Sequence, residues 1–249
     1  MKRIILPLAV LSFIILGGSC HPVKEKTPSI TDTLTIITNQ TGSGVTVDLH
    51  FTKGTEHNHP LMAVWIEDTN HHYLQTLYVS RSIATGIYPK KITDAGAWAP
   101  GEQRRPAALP VWSHAYGYVS TDGLFLPDPA HPVPDAYTGA TPQGDFELRA
   151  KTEKGTPKIV DLYFEINQSW DWNETWHNSA FPGDNEYATS AQPSLVYHAR
   201  IALLSGTGPY WLEPNGHGHP SGKDGKTYSD LSTFTTALQI AKKITVVIK

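Results

Sequence analysis

From Val45 to Phe51 the chain reads Val-Thr-Val-Asp-Leu-His-Phe, apolar and polar residues in strict alternation. A period of two sends successive side chains to opposite faces of a strand, one suited to a core and one to water. The alternation returns in Phe146-Glu147-Leu148-Arg149-Ala150 and in residues 160–166. Further short runs rich in β-branched and aromatic residues occupy 35–38, 62–66, 74–79, 195–204 and 244–248. The runs at 62–66 and 74–79 are joined across Asp68-Thr69-Asn70, a hairpin turn by composition. Many short strands without a repeat of solenoid or propeller length predict an all-β fold, an immunoglobulin-like β-sandwich spanning residues 33–249 as one domain. The stretches 81–110, 116–144 and 171–193 hold much of the chain's 20 Gly and 19 Pro, and are expected as long loops at the ends of the sandwich. Helix is expected only over 232–241, behind a Ser or Asp cap, and as a turn or two within 106–114.

Twenty Lys and Arg against 23 Asp and Glu leave a net charge of −3, which is not the composition of a basic nucleic-acid binder. The single cysteine excludes an internal disulfide, a Cys-rich zinc site and a thiol redox pair. Its position is informative. Lys2 and Arg3 are followed by an apolar run from Ile4 to Leu16, then Gly17-Gly18-Ser19-Cys20. The run is too short to span a membrane and ends in small residues, as an export signal does. The arrangement resembles a bacterial lipoprotein signal, with Gly17 where Leu is usual. Residues 1–19 are then the signal peptide, Cys20 the lipidated residue, and 20–32 a polar tether. Several acyl chains on one residue would anchor the protein stably. No acidic residue follows Cys20 closely, and the expected location is the periplasmic face of a bacterial membrane, the outer membrane favoured.

The segment Asp135-Ala136-Tyr137-Thr138-Gly139-Ala140-Thr141 carries the sharpest chemical signal. It fits D-x-x-[S/T]-G-A-T and resembles the sequence on which a flavin transferase places FMN in exported proteins, such as subunits of sodium-pumping quinone reductases. The resemblance implies that Thr141 is the acceptor of covalent FMN, with Asp135, Thr138, Gly139 and Ala140 presenting it. The acceptor need only offer an accessible hydroxyl, because the transferase and its metal stabilise phosphoryl transfer. Small residues at 139 and 140 suit entry into another enzyme's cleft, and Pro134 and Pro142 argue against a helix or central strand. Read without the resemblance, the segment is a turn rich in Asp, Gly and Thr.

A wider likeness runs through Met62-Ala63-Val64-Trp65-Ile66-Glu67-Asp68, Thr76-Leu77, Arg105-Pro106, Leu109-Pro110-Val111-Trp112, 135–142, Glu165-Ile166-Asn167, 192–197 and 235–237. In these residues the chain resembles an uncharacterised family of predicted periplasmic proteins of the VAVWIED…DAVTGAT type. Its members are associated with flavin transferases and with PepSY-type membrane reductases, which implies a redox setting and those partners without fixing a reaction. A ring carried on Thr141 would draw on nearby aromatic side chains, of which Trp98, Trp112, Tyr116, Tyr118 and Tyr137 are candidates, each equally suited to burial.

Weaker constellations remain. His57-Asn58-His59 and His217-Gly218-His219 have the spacing that puts two imidazoles on one strand face, yet neither completes a zinc pattern, and both end in Pro. Asp171, Asn173, Glu174, Asp184, Asn185 and Glu186 offer oxygen ligands without a calcium-loop spacing. Trp170, Trp172 and Trp176 could form a sugar platform or pack in a core. Two functions follow: extracytoplasmic electron transfer by a tethered FMN on Thr141, or a non-catalytic lipoprotein sandwich that grips a glycan, peptide or protein in its loops.

Overall fold

The computed structural model describes residues 33–92 and 97–249. The export signal and Cys20 lie outside these described residues. In chain order the strands are β1 (Leu34–Thr38), β2 (Thr46–Lys53), β3 (Leu61–Glu67), β4 (Tyr73–Ser80), β5 (Ile87–Ile92) and β6 (Trp98–Glu102). They continue with β7 (Thr138–Gly139), β8 (Phe146–Lys151), β9 (Ile159–Asn167), β10 (Leu195–Ala202), β11 (Tyr210–Trp211), β12 (Glu213–His217) and β13 (Ala241–Ile248). Among the described residues three short helices interrupt them: α1 (Arg81–Thr85), α2 (Pro110–Tyr116) and α3 (Asn185–Ala188).

Two sheets stack into the expected all-β sandwich. The smaller has the order β1-β8-β2-β13-β11 and the larger β12-β10-β9-β3-β4-β7, with β5 and β6 forming a separate ribbon. The strand order is the chain's own. β8 lies between β1 and β2 and pairs in parallel with β1, where an immunoglobulin domain sets its first two strands side by side. The alternation in β2 does what it promises: Val47, Leu49 and Phe51 are buried between the sheets. There Phe51 stacks on Phe146 at 4.9 Å and on Phe164 at 5.7 Å. The hairpin at Asp68 forms as expected, the Asp68 carboxylate accepting from the backbone N–H groups of Asn70 and His72.

A second core lies on the outer face of the larger sheet. Ala63, Trp65, Val79, Tyr163 and Val196 point away from the sandwich interior and are covered by Ile83, Tyr88, Leu109, Trp112, Leu126 and Val133. The described residues of 81–92 and 97–137 therefore supply a cover over the sheet, which corrects the expectation of loops at the sandwich ends. Every residue of β3 is buried as a result. A sheet covered on both faces is the setting in which a strand reads as a continuous apolar run, as 62–66 does.

α2 fastens this cover. Pro110 opens the helix, where its missing N–H costs nothing, and Gly117 closes it in the left-handed region at φ 78°. The N–H groups of Val111 and Trp112 donate to the carboxylate of Glu165 on β9, at 3.2 and 2.7 Å. Where helix was expected over 232–241 there is only a 3-10 turn at Thr236–Gln239. The Thr-rich segment is held by bonds outside itself. Thr236 donates its hydroxyl to Asp171, and Asn173 donates to the Thr233 carbonyl and the Thr235 hydroxyl. Such side-chain bonds compete with helical ones.

Candidate functional site

Strand register gathers the residues singled out in the sequence at one rim. In the larger sheet Leu61 pairs with Asn167, Ser80 with Gly139 and Leu195 with His217, so these residues mark the same end. In the smaller sheet Ala241 pairs with Lys53, and Phe146 with Phe51. The two sheet ends are tied together there. The ring of His57, in the β2–β3 connection, lies 3.3 Å from the carbonyl of Pro142, in the β7–β8 connection, while within the smaller sheet the Lys53 N–H donates to Asp145 at 2.9 Å. Thr141, both His pairs and the Trp170–Trp176 segment all emerge at this rim.

Asp135–Tyr137 form a single 3-10 turn, and Thr138–Gly139 make the edge strand β7, parallel to the end of β4. Asp135 and Ala140 are exposed, Gly139 and Thr141 half-buried, and Thr138 buried. The Thr141 hydroxyl donates to the Ser80 hydroxyl at 3.2 Å, while Ser80, itself fully buried, accepts from the Met62 N–H at 2.9 Å. Tyr78 braces the segment from below, its hydroxyl donating to the Ala140 carbonyl at 3.1 Å. Burial pushes the Tyr78 phenol up to about 12, so it stays a donor across the physiological range. A Cβ on residue 139 would sit 2.9 Å from Cε2 of the Tyr78 ring, which is closed in by the core. Gly139 is thus required where the strand passes an immobile ring. Gly139→Ala is expected to lower stability by about 1–3 kcal/mol and to lift β7 from β4. Chemical denaturation of the variant alongside Tyr78→Leu/Gly139→Ala checks the cause, because shrinking the ring should recover part of the loss.

Beside this segment a groove of about 680 Å³ is lined by Lys53, Gly54, Thr55, His57, Leu238, Gln239, Ala241 and Lys242. That volume is within the range of small-molecule sites. His57 joins the groove to Pro142, next to Thr141. Burial holds the His57 imidazole below its ordinary pKa and the Lys53 charge adds to this, so the ring is neutral at pH 7.

The weaker constellations disperse into structural roles. His59 lies 2.8 Å from the Asn58 side chain, and His217 lies 2.8 Å from the Gly218 carbonyl and stacks on Tyr228. Among the described residues no three His, Cys, Asp or Glu side chains are placed to hold a metal ion. Asp184 caps α3 and accepts from Ser221 and Lys223, whereas Asn173 shapes its own turn, so the acidic residues do not converge. Trp176 is buried, its indole N–H donating to Thr233 at 3.1 Å, while Trp170 and Trp172 are exposed. Of the other aromatic candidates, Trp112 is fully buried with Tyr116 stacked on it, Tyr118 donates to Asp128, and Tyr137 donates to Glu153. None of these is aimed at Thr141, and the side chain of Trp98 lies outside the described residues.

Two charged groups that the sequence names only within the family likeness, with no role of their own, are buried in the structure. Glu165 is completely buried, and burial raises its carboxyl to about 7 against bonds from Ser194, Trp112 and Val111 that favour the anion. Arg105 is also buried, with its guanidinium between two aromatic rings. Family models, curated proteins and solved structures offer no match to this chain. Its chemistry is therefore read from its own residues.

Proposed function

We propose that this protein is an exported, lipid-anchored carrier of FMN, joined covalently through Thr141 and serving extracytoplasmic electron transfer. The observation that carries the reading is the D-x-x-T-G-A-T segment held on the rim, with Thr141 half-buried and next to exposed Ala140. The surroundings fit a flavin phosphoester. The adjoining groove has Lys53 and Lys242 to face a phosphate charge, and Leu238 and Ala241 to line an apolar ring. A bound flavin supplies one- or two-electron transfer, and the protein's part is to hold and orient it.

Attachment requires a flavin transferase and FAD. The Thr141 oxygen bonds to the FMN phosphorus, the anhydride bond to AMP breaks, and AMP departs as the hydroxyl proton is released. Ser80 orients that hydroxyl. A lipid on Cys20 would keep the carrier near membrane partners and raise their effective concentration, with a PepSY-type reductase as electron donor. A covalent bond also prevents loss of a cofactor that cannot be replaced from the cytoplasm.

Expression of the full chain with and without a flavin transferase, followed by intact mass, tests this. The expected result is a gain of one FMN less one water, absent in Thr141→Ala. An unmodified chain beside a transferase that modifies a known acceptor would overturn the proposal and leave residues 135–141 as a turn.

A further inference from the structure

Arg105 stands apart from the other arginines with structural partners. Arg104, Arg149 and Arg200 each have a carboxylate, at 2.8, 3.3 and 2.9 Å. Arg105 has only 8% of its surface open, and among the described residues no carboxylate pairs with it. Its guanidinium carbon lies 4.6 Å from the ring centroid of Tyr88 and 4.7 Å from that of Trp170. Its Nη atoms donate to the neutral oxygens of Ser169 and Gln103, both at 3.3 Å, the long end of the range. Among the described residues its buried Nε finds no partner, and neither does the buried hydroxyl of Tyr88.

Two aromatic faces attract a cation, most strongly where water is excluded, but they offer no acceptor to the N–H groups along its edge. Removing an ion from water without a counter-charge is costly, and an unpaired N–H adds to that cost. The aromatic clamp therefore leaves a positive charge and a free donor edge uncompensated. Nε and a neighbouring Nη form the planar fork that matches a carboxylate or a phosphate.

We propose that Arg105 anchors an oxyanion-binding site on this rim, taking the carboxylate or phosphate group of a small ligand. Trp170 is its cover. The side chain is half exposed, the backbone of the residue is in the left-handed region at φ 65°, and the indole N–H makes one long contact, 3.4 Å to the Ala188 carbonyl. An outward swing of this ring with a shift of the Gln103 amide opens the fork, and the bound oxyanion replaces the two weak bonds. The site is built without Thr141 and does not depend on flavin.

The test uses the full chain made without a flavin transferase, titrated with acetate and with inorganic phosphate at constant ionic strength against chloride. Tryptophan fluorescence and the melting temperature are followed together. A saturable fluorescence change and a higher melting temperature with acetate, phosphate or both are expected. Arg105→Lys should bind at least about tenfold more weakly, because it keeps the charge and loses the fork. Trp170→Ala should lose most of the fluorescence signal yet keep the thermal response. No saturable response in the wild type, or an undiminished one in both Arg105→Lys and Arg105→Met, would overturn the proposal. Arg105→Lys keeps the test decisive if Arg105→Met does not fold.

Discussion

Glu165→Ala is expected to cost about 3–5 kcal/mol, the loss typical of leaving several buried donors without a partner. The carboxylate is the point at which the cover is attached to β9. It accepts from Val111 and Trp112, and the Ser194 hydroxyl lies 2.5 Å from it. There is no slack around it. A Cβ on Gly218 would stand 2.6 Å from both Ser194 Oγ and Pro110 Cγ, and 3.3 Å from the carboxylate. Denaturant unfolding should report the loss, and hydrogen exchange should accelerate in residues 105–137 more than in the smaller sheet. Equal acceleration everywhere would show that Glu165 does not act through the cover.

The same group carries a pH signature of defined sign. Its carboxyl titrates near 7 in the folded protein against an ordinary value of 4.5, mainly through burial. Between those values the folded state holds a proton that the unfolded chain has released, so this contribution favours folding below about pH 4.5 and is lost as pH rises through 7. The stability difference between wild type and Glu165→Gln should then change by about 3 kcal/mol across that window, the wild type losing ground at the alkaline end. A difference independent of pH would place the titration elsewhere. Asp48 and Asp161 work in the opposite direction. Burial would raise both, but Lys249 and Arg149 hold Asp48, and Arg200 and His198 hold Asp161, below the usual carboxylate range. Their contributions are lost as pH falls into the acid range, leaving the Glu165 window separable.

Glu165 also shows why part of the molecule was hidden in its sequence. In Val160-Asp161-Leu162-Tyr163-Phe164-Glu165-Ile166 the alternation correctly sets Val160, Leu162, Phe164 and Ile166 toward the other sheet. It also implies water around Asp161 and Glu165, and both are fully buried. Period two reports which residues share a face and says nothing of what lies on it. The covering residues come from a Gly- and Pro-rich segment in which Ile83, Tyr88, Leu109, Trp112, Leu126 and Val133 follow no period. The clearest hint was the unbroken apolar run of β3. Thr141 could be singled out because its motif is contiguous. The clamp on Arg105 could not, since Tyr88, Arg105 and Trp170 are brought together only by the fold. β7 has two residues and is set by its pairing with β4, beyond the reach of any local pattern.

The second large effect is expected at Trp112. Its indole is fully buried in the outer core, stacks on Tyr116 at 5.4 Å and donates its N–H to the Thr76 hydroxyl at 2.9 Å. Trp112→Ala should cost about 3–5 kcal/mol through the cavity and the lost packing. The backbone N–H of residue 112 remains, so the bond to Glu165 is not removed directly. That separation makes a double-mutant cycle informative. If the cover docks as one cooperative unit, either single change already loosens α2, and the second has less left to remove. The combined loss in Trp112→Ala/Glu165→Ala should then fall short of the sum by about 1–2 kcal/mol, as for groups that share an element. Strict additivity would mean that the indole and the carboxylate hold the sheet independently. In that case hydrogen exchange in residues 105–137 should stay protected in Trp112→Ala, with only the immediate neighbours of the cavity opening.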